Sequence, residues 1–288
     1  LTGTHADGNS YYMTLSGTSQ ATAIASGVAG LTREFIREQA GISAPSSSLV
    51  KAAMINGARD LGTADIPNAA EGWGEVDLER TVLPMDGSTA LDTFFDDRKV
   101  LSPGFGLLYS FSIDPSHGMD LTLVWTDEAG SANAAQSQAR LVNNLDLVLV
   151  DPNGNEWLGN DFAQGFSTTG GTADAVNNVE RIRVAPGTFS SGSGNWVVKV
   201  LHRGGSDQDF ALVMSAVATP TPQPDLAVFD GSILTSSENP LKNDLISIRL
   251  AWVNQGTSIT APFDIILEDT TAQTTLATAS RPALGPGM

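Results

Sequence analysis

A serine attacks a carbonyl only when its hydroxyl is exposed, a base can take its proton, and donors await the charge that develops on the substrate oxygen. Ser19 is the residue of this chain whose setting fits that use. It follows Gly17-Thr18 and opens the run SQATAIASGVAGLTREFIREQA. That run reads as a helix from Ser19 to about Ala40, small residues first and an amphipathic Arg/Glu-rich half after, ended by Gly41. Gly17 lets the chain turn sharply, the positive end of the helix dipole favours an anion, and the N–H of Ser19 can face it. Gly17 and Thr18 are therefore the candidate nucleophile loop and oxyanion setting, and Ser19 the candidate catalytic residue. The same tripeptide also describes an ordinary serine helix cap, and its spacing alone leaves both uses open.

The elements that must position Ser19 follow it. Ala21, Ala25, Gly27, Ala29 and Gly30 keep its helix slim enough to be buried. A second helix is expected from Ser47 or Ser48 to Ala58, where Leu49, Ala52, Ala53 and Ala58 have helical apolar spacing and Pro45 precedes. Gly72-Trp73-Gly74-Glu75-Val76 reads as a turn, and Asp77 as the cap of a short helix reaching Leu83. Beyond Asp86 the period changes to two, in 121–125, 145–150, 181–184 and 196–200, which predicts a β-sandwich. Asp151-Pro152-Asn153-Gly154-Asn155 carries the turn chemistry of a hairpin. Thr219-Pro220-Thr221-Pro222-Gln223-Pro224 is a stiff, proline-spaced linker. After it, a strand over Leu245–Val253, a turn at Asn254-Gln255-Gly256-Thr257 and a strand over Phe263–Leu267 suggest an immunoglobulin-like sandwich. Four segments result: 1–85, 86–218, the linker 219–224, and 225–288.

Tyr12-Met13, Gly17-Thr18-Ser19, Val28-Ala29-Gly30, the block 51–58 and Gly72-Trp73-Gly74-Glu75-Val76-Asp77 resemble, in order and approximate spacing, the subtilisin-like serine proteases. The resemblance covers about residues 1–83. It implies the C-terminal part of an α/β, parallel-sheet catalytic domain and a serine endopeptidase working through an acyl-enzyme on Ser19. The Asp, the His and the oxyanion Asn of such enzymes precede the serine, so they are expected upstream of this chain, and the chain alone is expected to be inactive. Gln20 stands where the family usually has methionine, Ala23 where it has proline, and Ile24 where it has histidine or a β-branched residue. The resemblance further implies protein or peptide substrates, no cofactor for the chemistry, and an extracellular or cell-surface location.

Residues 86–218 resemble the all-β sandwich domain that follows the catalytic domain in a branch of bacterial alkaline subtilases, and more distantly the P domain of kexin-like enzymes. The resemblance rests on Val124-Trp125-Thr126-Asp127, the block 141–147, Gly159-Asn160-Asp161 and Asn177-Asn178-Val179-Glu180. Asp127, Asp146 and Asp161 are candidate ligands of a structural calcium ion, a hard cation that takes six to eight oxygens. Asx turns and strand ends use the same residues without any metal. Residues 225–288, from Pro-Asp-Leu-Ala-Val at 224–228 to Val253-Asn254-Gln255-Gly256-Thr257, resemble the CARDB modules of bacterial surface proteins, and so imply a cell-wall or extracellular ligand. Trp252 in that module reads as core.

Composition limits the partners. The 288 residues carry a formal net charge of −17, which repels nucleic acid and anionic membrane. There is no cysteine, so thiol catalysis and disulfides are excluded, and no run of about 18–20 apolar residues predicts a membrane span. His5, fourteen positions ahead of Ser19, and Asp7 read as loop residues, and His117 and His202 as surface or turn residues of the β module. The competing reading is a non-catalytic binding or cell-wall spacer protein with a degenerate protease remnant.

Overall fold

The computed structural model describes residues 16–62, 65–133, 140–188, 194–221, 226–227, 233–235, 248–250, 253–254, 261–269 and 274–283. They divide into two compact units, Leu1–Pro220 and Thr221–Met288.

The described part of the first unit begins with three helices, α1 (Thr18–Gln39), α2 (Ser47–Gly57) and α3 (Leu78–Val82). Ala40 caps α1 by donating to Ile36 O, and Gly41 follows at φ 71°, a conformation glycine adopts without a Cβ penalty. Ser46 caps α2 by accepting the Leu49 N–H at 3.0 Å. Asp77 caps α3 by accepting the Arg80 N–H at 3.1 Å. Two glycines of the blocks singled out above are required by close approach. A Cβ on Gly57 would stand 2.7 Å from Thr81 Cα, and one on Gly74, at φ 106°, 2.5 Å from Arg59 O.

Twelve strands follow: β1 (Met85–Asp86), β2 (Thr89–Ala90), β3 (Asp92–Leu101), β4 (Gly106–Ile113), β5 (Met119–Val124), β6 (Asn144–Val150), β7 (Glu156–Ala163), β8 (Phe166–Thr169), β9 (Val179–Val184), β10 (Gly194–Gly204), β11 (Gln208–Ala216) and β12 (Ala218–Pro220). After the β1-β2 hairpin they form a six-stranded sheet, β12-β4-β10-β6-β7-β8, and a four-stranded sheet, β3-β11-β5-β9. Alternate residues of both sheets interdigitate into one core, with Trp125, Trp196, Phe111, Phe210 and Leu147 buried in it. The Asp151–Asn155 turn forms as expected. Asp151 N donates to Asn155 O at 3.0 Å, and the Asp151 carboxylate takes the N–H groups of Asn153 and Asn155.

The other face of the four-stranded sheet mixes apolar side chains with the polar Asp120, Thr122, Arg181 and Ser215, and α2 covers it. Leu49, Ala52, Ala53 and Ile55 of α2, with Ile36 of α1, pack on Val124, Val179, Ala211 and Val213. Polar contacts fix the register: Ser46 Oγ donates to Asp97 Oδ1 at 2.5 Å, Asn56 Nδ2 to Ser215 Oγ at 2.9 Å, and Thr122 Oγ1 to Asn56 Oδ1 at 3.0 Å. Every strand pairing among the described residues is antiparallel, so the parallel sheet expected within 1–85 is not among them. The helices of that segment instead close the sandwich as a third layer. At the other end, Thr219 and Pro220 extend the six-stranded sheet opposite Ser112 and Phe111, on an edge strand where a proline removes no ladder bond.

In the second unit, β13 (Leu226–Ala227) pairs with β16 (Val253–Asn254), β14 (Ile233–Thr235) with β15 (Ile248–Leu250), and β17 (Phe263–Asp269) with β18 (Thr274–Arg281). The strand expected over Leu245–Val253 is described only as β15 and the start of β16, while Trp252 and the turn residues 255–257 lie outside the described residues.

Asp77 shows how capping and charge add. Burial pushes its carboxyl up, but the Arg80 N–H and the Arg59 guanidinium, at 2.5 Å, outweigh that and hold it below the usual range. A depressed folded pKa gives stability that is present above the unfolded pKa and lost as pH falls through the folded one. Asp77→Ala is expected to cost about 1 kcal/mol at neutral pH, as loss of an N-cap does, with the deficit shrinking on acidification. Urea unfolding of both proteins across pH 7 to 3 checks this, and a deficit that does not shrink would count against the charge argument.

Candidate active site

Ser19 is the second residue of α1 and is exposed to solvent. Gly17 is the N-cap, in an extended conformation at φ 163° and ψ 162°, and no side chain caps the helix among the described residues. The first intrahelical bond is Ala21 N to Gly17 O at 3.2 Å, so the N–H groups of Thr18, Ser19 and Gln20 have no acceptor within the helix. No acidic side chain lies in the first turn to consume the positive end of the dipole. A hydroxyl beside N–H groups that the helix itself leaves without an acceptor is a place where an oxyanion can be held. The Gln20 side chain folds back over Gly17, its Oε1 2.8 Å from where a Cβ on Gly17 would stand.

The helix is held from its far end. Within α1 only Thr32 and Ile36 are buried, and Ile36 sits in the cluster that α2 forms on the four-stranded sheet. The half nearest Ser19 is open, with Ile24 44% and Leu31 51% exposed. The small residues Ala21, Gly27 and Gly30, expected to allow burial, are exposed as well, because no described element packs against that face.

Neither described histidine serves Ser19. His117 Nδ1 lies 3.1 Å from Asp86 Oδ2. His202 is buried, and its Nε2 donates to Ser206 O at 2.7 Å. His5 and Asp7 lie outside the described residues.

The comparison with known families bears on this loop and its supports. Residues 1–74 match the subtilase family. The chain is also similar to the serine protease/ABC transporter B family protein tagA of Dictyostelium discoideum, 34% identical over 193 residues. That similarity takes in 62% of this chain and 11% of tagA, so the chain spans about a tenth of the relative it matches. Both findings make this a protease-related chain, in which Gly17, Thr18 and Ser19 fall inside the subtilase match. Asn56, Gly57 and Gly74, which lock α2 to α3 and to the sheet, fall inside it too.

Outside the subtilase match, the three candidate calcium ligands stand apart. Asp127 accepts the N–H groups of Val142 and Asn143, at 2.7 and 2.8 Å, and so closes a turn. Asp161 accepts from Thr168 Oγ1 at 3.1 Å. Asp146 is buried and paired through Oδ2 with Arg203 Nε at 2.5 Å. Among the described residues no three His, Cys, Asp or Glu side chains group to hold a metal. What lies beside Asp146 is Glu180, whose Oε2 accepts the Leu147 N–H at 2.6 Å where β7 has peeled away from β6. Burial pushes the Glu180 carboxyl well above the usual range. The Leu147 N–H and Arg203 oppose that shift, and Asp146 and Asp174 add to it.

Proposed function

We propose that this chain carries the nucleophile of a secreted serine endopeptidase. Ser19 attacks the carbonyl of a protein or peptide substrate, the N–H groups at the start of α1 take part in holding the oxyanion, and an acyl-enzyme forms on Ser19 Oγ. The observation that carries the reading is the exposed Ser19 at the start of α1, where the first N–H groups have no acceptor within the helix. The match of residues 1–74 to the subtilases supports it. The aspartate, the histidine base and the oxyanion asparagine come from sequence upstream of Leu1, and the chemistry needs no cofactor. The second unit acts as a CARDB-like spacer at the cell surface.

A fluorophosphonate probe reports an activated serine by covalent capture. The full-length protein is expected to be labelled on the peptide that contains Gly17-Thr18-Ser19, while the 288-residue chain alone is expected to give neither labelling nor peptide turnover. Labelling of the full-length protein at a different serine would overturn the assignment. Turnover by the isolated chain would overturn the placement of the base.

A further inference from the structure

Asparagine is followed by glycine at two places in the chain, Asn56-Gly57 and Asn153-Gly154. In such a pair the glycine main-chain nitrogen can attack the asparagine side-chain carbonyl, because the two atoms are tethered together and no Cβ on the glycine stands in the way. A bond forms from that nitrogen to Cγ, the side-chain nitrogen leaves as ammonia, and a succinimide ring closes. Water then opens the ring at one carbonyl or the other, giving aspartate or isoaspartate. Water is the only co-reactant, and nothing is oxidised or reduced.

The fold treats the two pairs oppositely. Asn56 ends α2 beside Gly57 and is 4% exposed. Its Nδ2 donates to Ser215 Oγ at 2.9 Å, its Oδ1 accepts from Thr122 Oγ1 at 3.0 Å, and its main-chain carbonyl accepts from Arg181 Nη2 at 3.0 Å. Gly57 is pressed against α3, where a Cβ would stand 2.7 Å from Thr81 Cα. Ring closure there needs the Asn56 side chain to leave both of its partners, and so needs α2 to come off the sheet. Asn153 and Gly154, by contrast, are exposed at the tip of the β6–β7 hairpin. A Cβ on Gly154 would meet nothing within 4 Å. The main-chain bonds that hold the pair lie within the turn, Gly154 N to Asp151 O at 3.0 Å and Asn153 N to Asp151 Oδ1 at 2.8 Å. Opening the turn leaves the sheet intact, and such local openings are far more frequent than those of core elements.

We propose that Asn153 is a site of covalent modification, converting to aspartate and isoaspartate in the folded protein while Asn56 is preserved. The change acts on the hairpin through Asp151. That carboxylate is 3% exposed, and its Oδ1 accepts the N–H groups of both Asn153 and Asn155, at 2.8 and 2.9 Å. Isoaspartate adds a methylene to the main chain between those two N–H groups, so one oxygen no longer reaches both. Aspartate instead brings a second negative charge to the turn, beside the one on Asp151. Either product loosens the hairpin where Val150 faces Glu156.

The test holds the whole 288-residue chain folded in mildly alkaline buffer made up in heavy-oxygen water, with peptide mapping by mass spectrometry and melting temperature as readouts. Residue 153 is expected to lose ammonia and gain one heavy oxygen, with aspartate and isoaspartate as separate products. Conversion at Asn153 is expected to run at least about tenfold faster than at Asn56 in the folded chain, and within about threefold of it in urea, where neither is protected. The converted chain is expected to melt about 2–4 °C lower, the shift that loss of one turn hydrogen bond produces in a unit of this size. Asn153→Gln is expected to keep its melting temperature through the same incubation. Asn153 surviving in the folded chain as long as Asn56 would overturn the site. A converted chain that melts with the parent, or a glutamine variant that loses as much as the parent does, would overturn the effect on the Asp151 turn.

Discussion

Ser19→Ala is expected to remove peptide turnover from the full-length protein by a factor on the order of 10⁶, the loss that removal of subtilisin's own nucleophile produces. The size follows from what the hydroxyl does. Without it no acyl-enzyme forms, and what survives is substrate positioning and the oxyanion stabilisation to which the first N–H groups of α1 contribute, which act on water attack alone. Neighbouring substitutions should behave differently. Gln20 flanks the site, with its side chain turned back over Gly17, and it contributes bulk without reacting. Gln20→Met should therefore keep turnover but make it sensitive to peroxide, because a thioether there is converted to a polar sulfoxide. The measurement is peptide hydrolysis by the three full-length proteins before and after peroxide. Turnover by the Ser19→Ala protein at the parent rate would sink the nucleophile assignment and favour the spacer reading.

The helix start at Gly17-Thr18-Ser19 was legible because its signals are local: a glycine, a threonine and a serine at a helix start are neighbours in sequence. Helix limits were legible for the same reason, with Ser46, Asp77 and Gly41 acting within a few residues of themselves. What could not be read was which sheet face is covered. Arg181 and Arg183 alternate with Ile182 and Val184 in a pattern of polar outside and apolar inside. The structure lays α2 over the polar side, so Arg181 is a fully buried cation. The partners that decide this, Asn56, Ala58 and Asp120, stand more than 60 positions away. Glu180 was hidden in the same manner: its place beside Asp146 depends on β7 leaving the ladder at Gly159, a backbone event with no periodic signal. The segmentation at residue 86 followed a change of period, from helical spacing to alternation, while the packing of α2 on β5 and β11 crosses that change.

The seam between α2 and the sheet yields the second large effect, and charge decides which substitution is worse. Arg181 is 0% exposed, and its Nη2 donates to Asp120 Oδ1 at 2.9 Å and to the carbonyls of Asn56 and Ala58 at 3.0 and 3.3 Å, at the C-terminal end of α2. Burial lowers the Arg181 pKa and Asp120 opposes that, yet a guanidinium does not shed its proton in a folded protein. Asp120 also faces Arg183 at 3.5 Å and Arg80 at 3.9 Å. Asp120→Asn therefore leaves three arginines converging without their common anion, one of them wholly buried. Arg181→Met, by contrast, removes the buried cation, leaves Asp120 its two remaining partners, and puts an apolar chain next to the cluster around Ala53 and Val179. Asp120→Asn is expected to cost about 3–5 kcal/mol, the range for breaking a buried ion pair from one side. Arg181→Met is expected to cost less, about 1–3 kcal/mol for the hydrogen bonds lost at the end of α2. Urea unfolding followed by the fluorescence of buried Trp125 and Trp196 reads both in the intact chain. Should Arg181→Met prove the more damaging of the two, the seam would be held by the capping of α2 and not by the charge on Asp120.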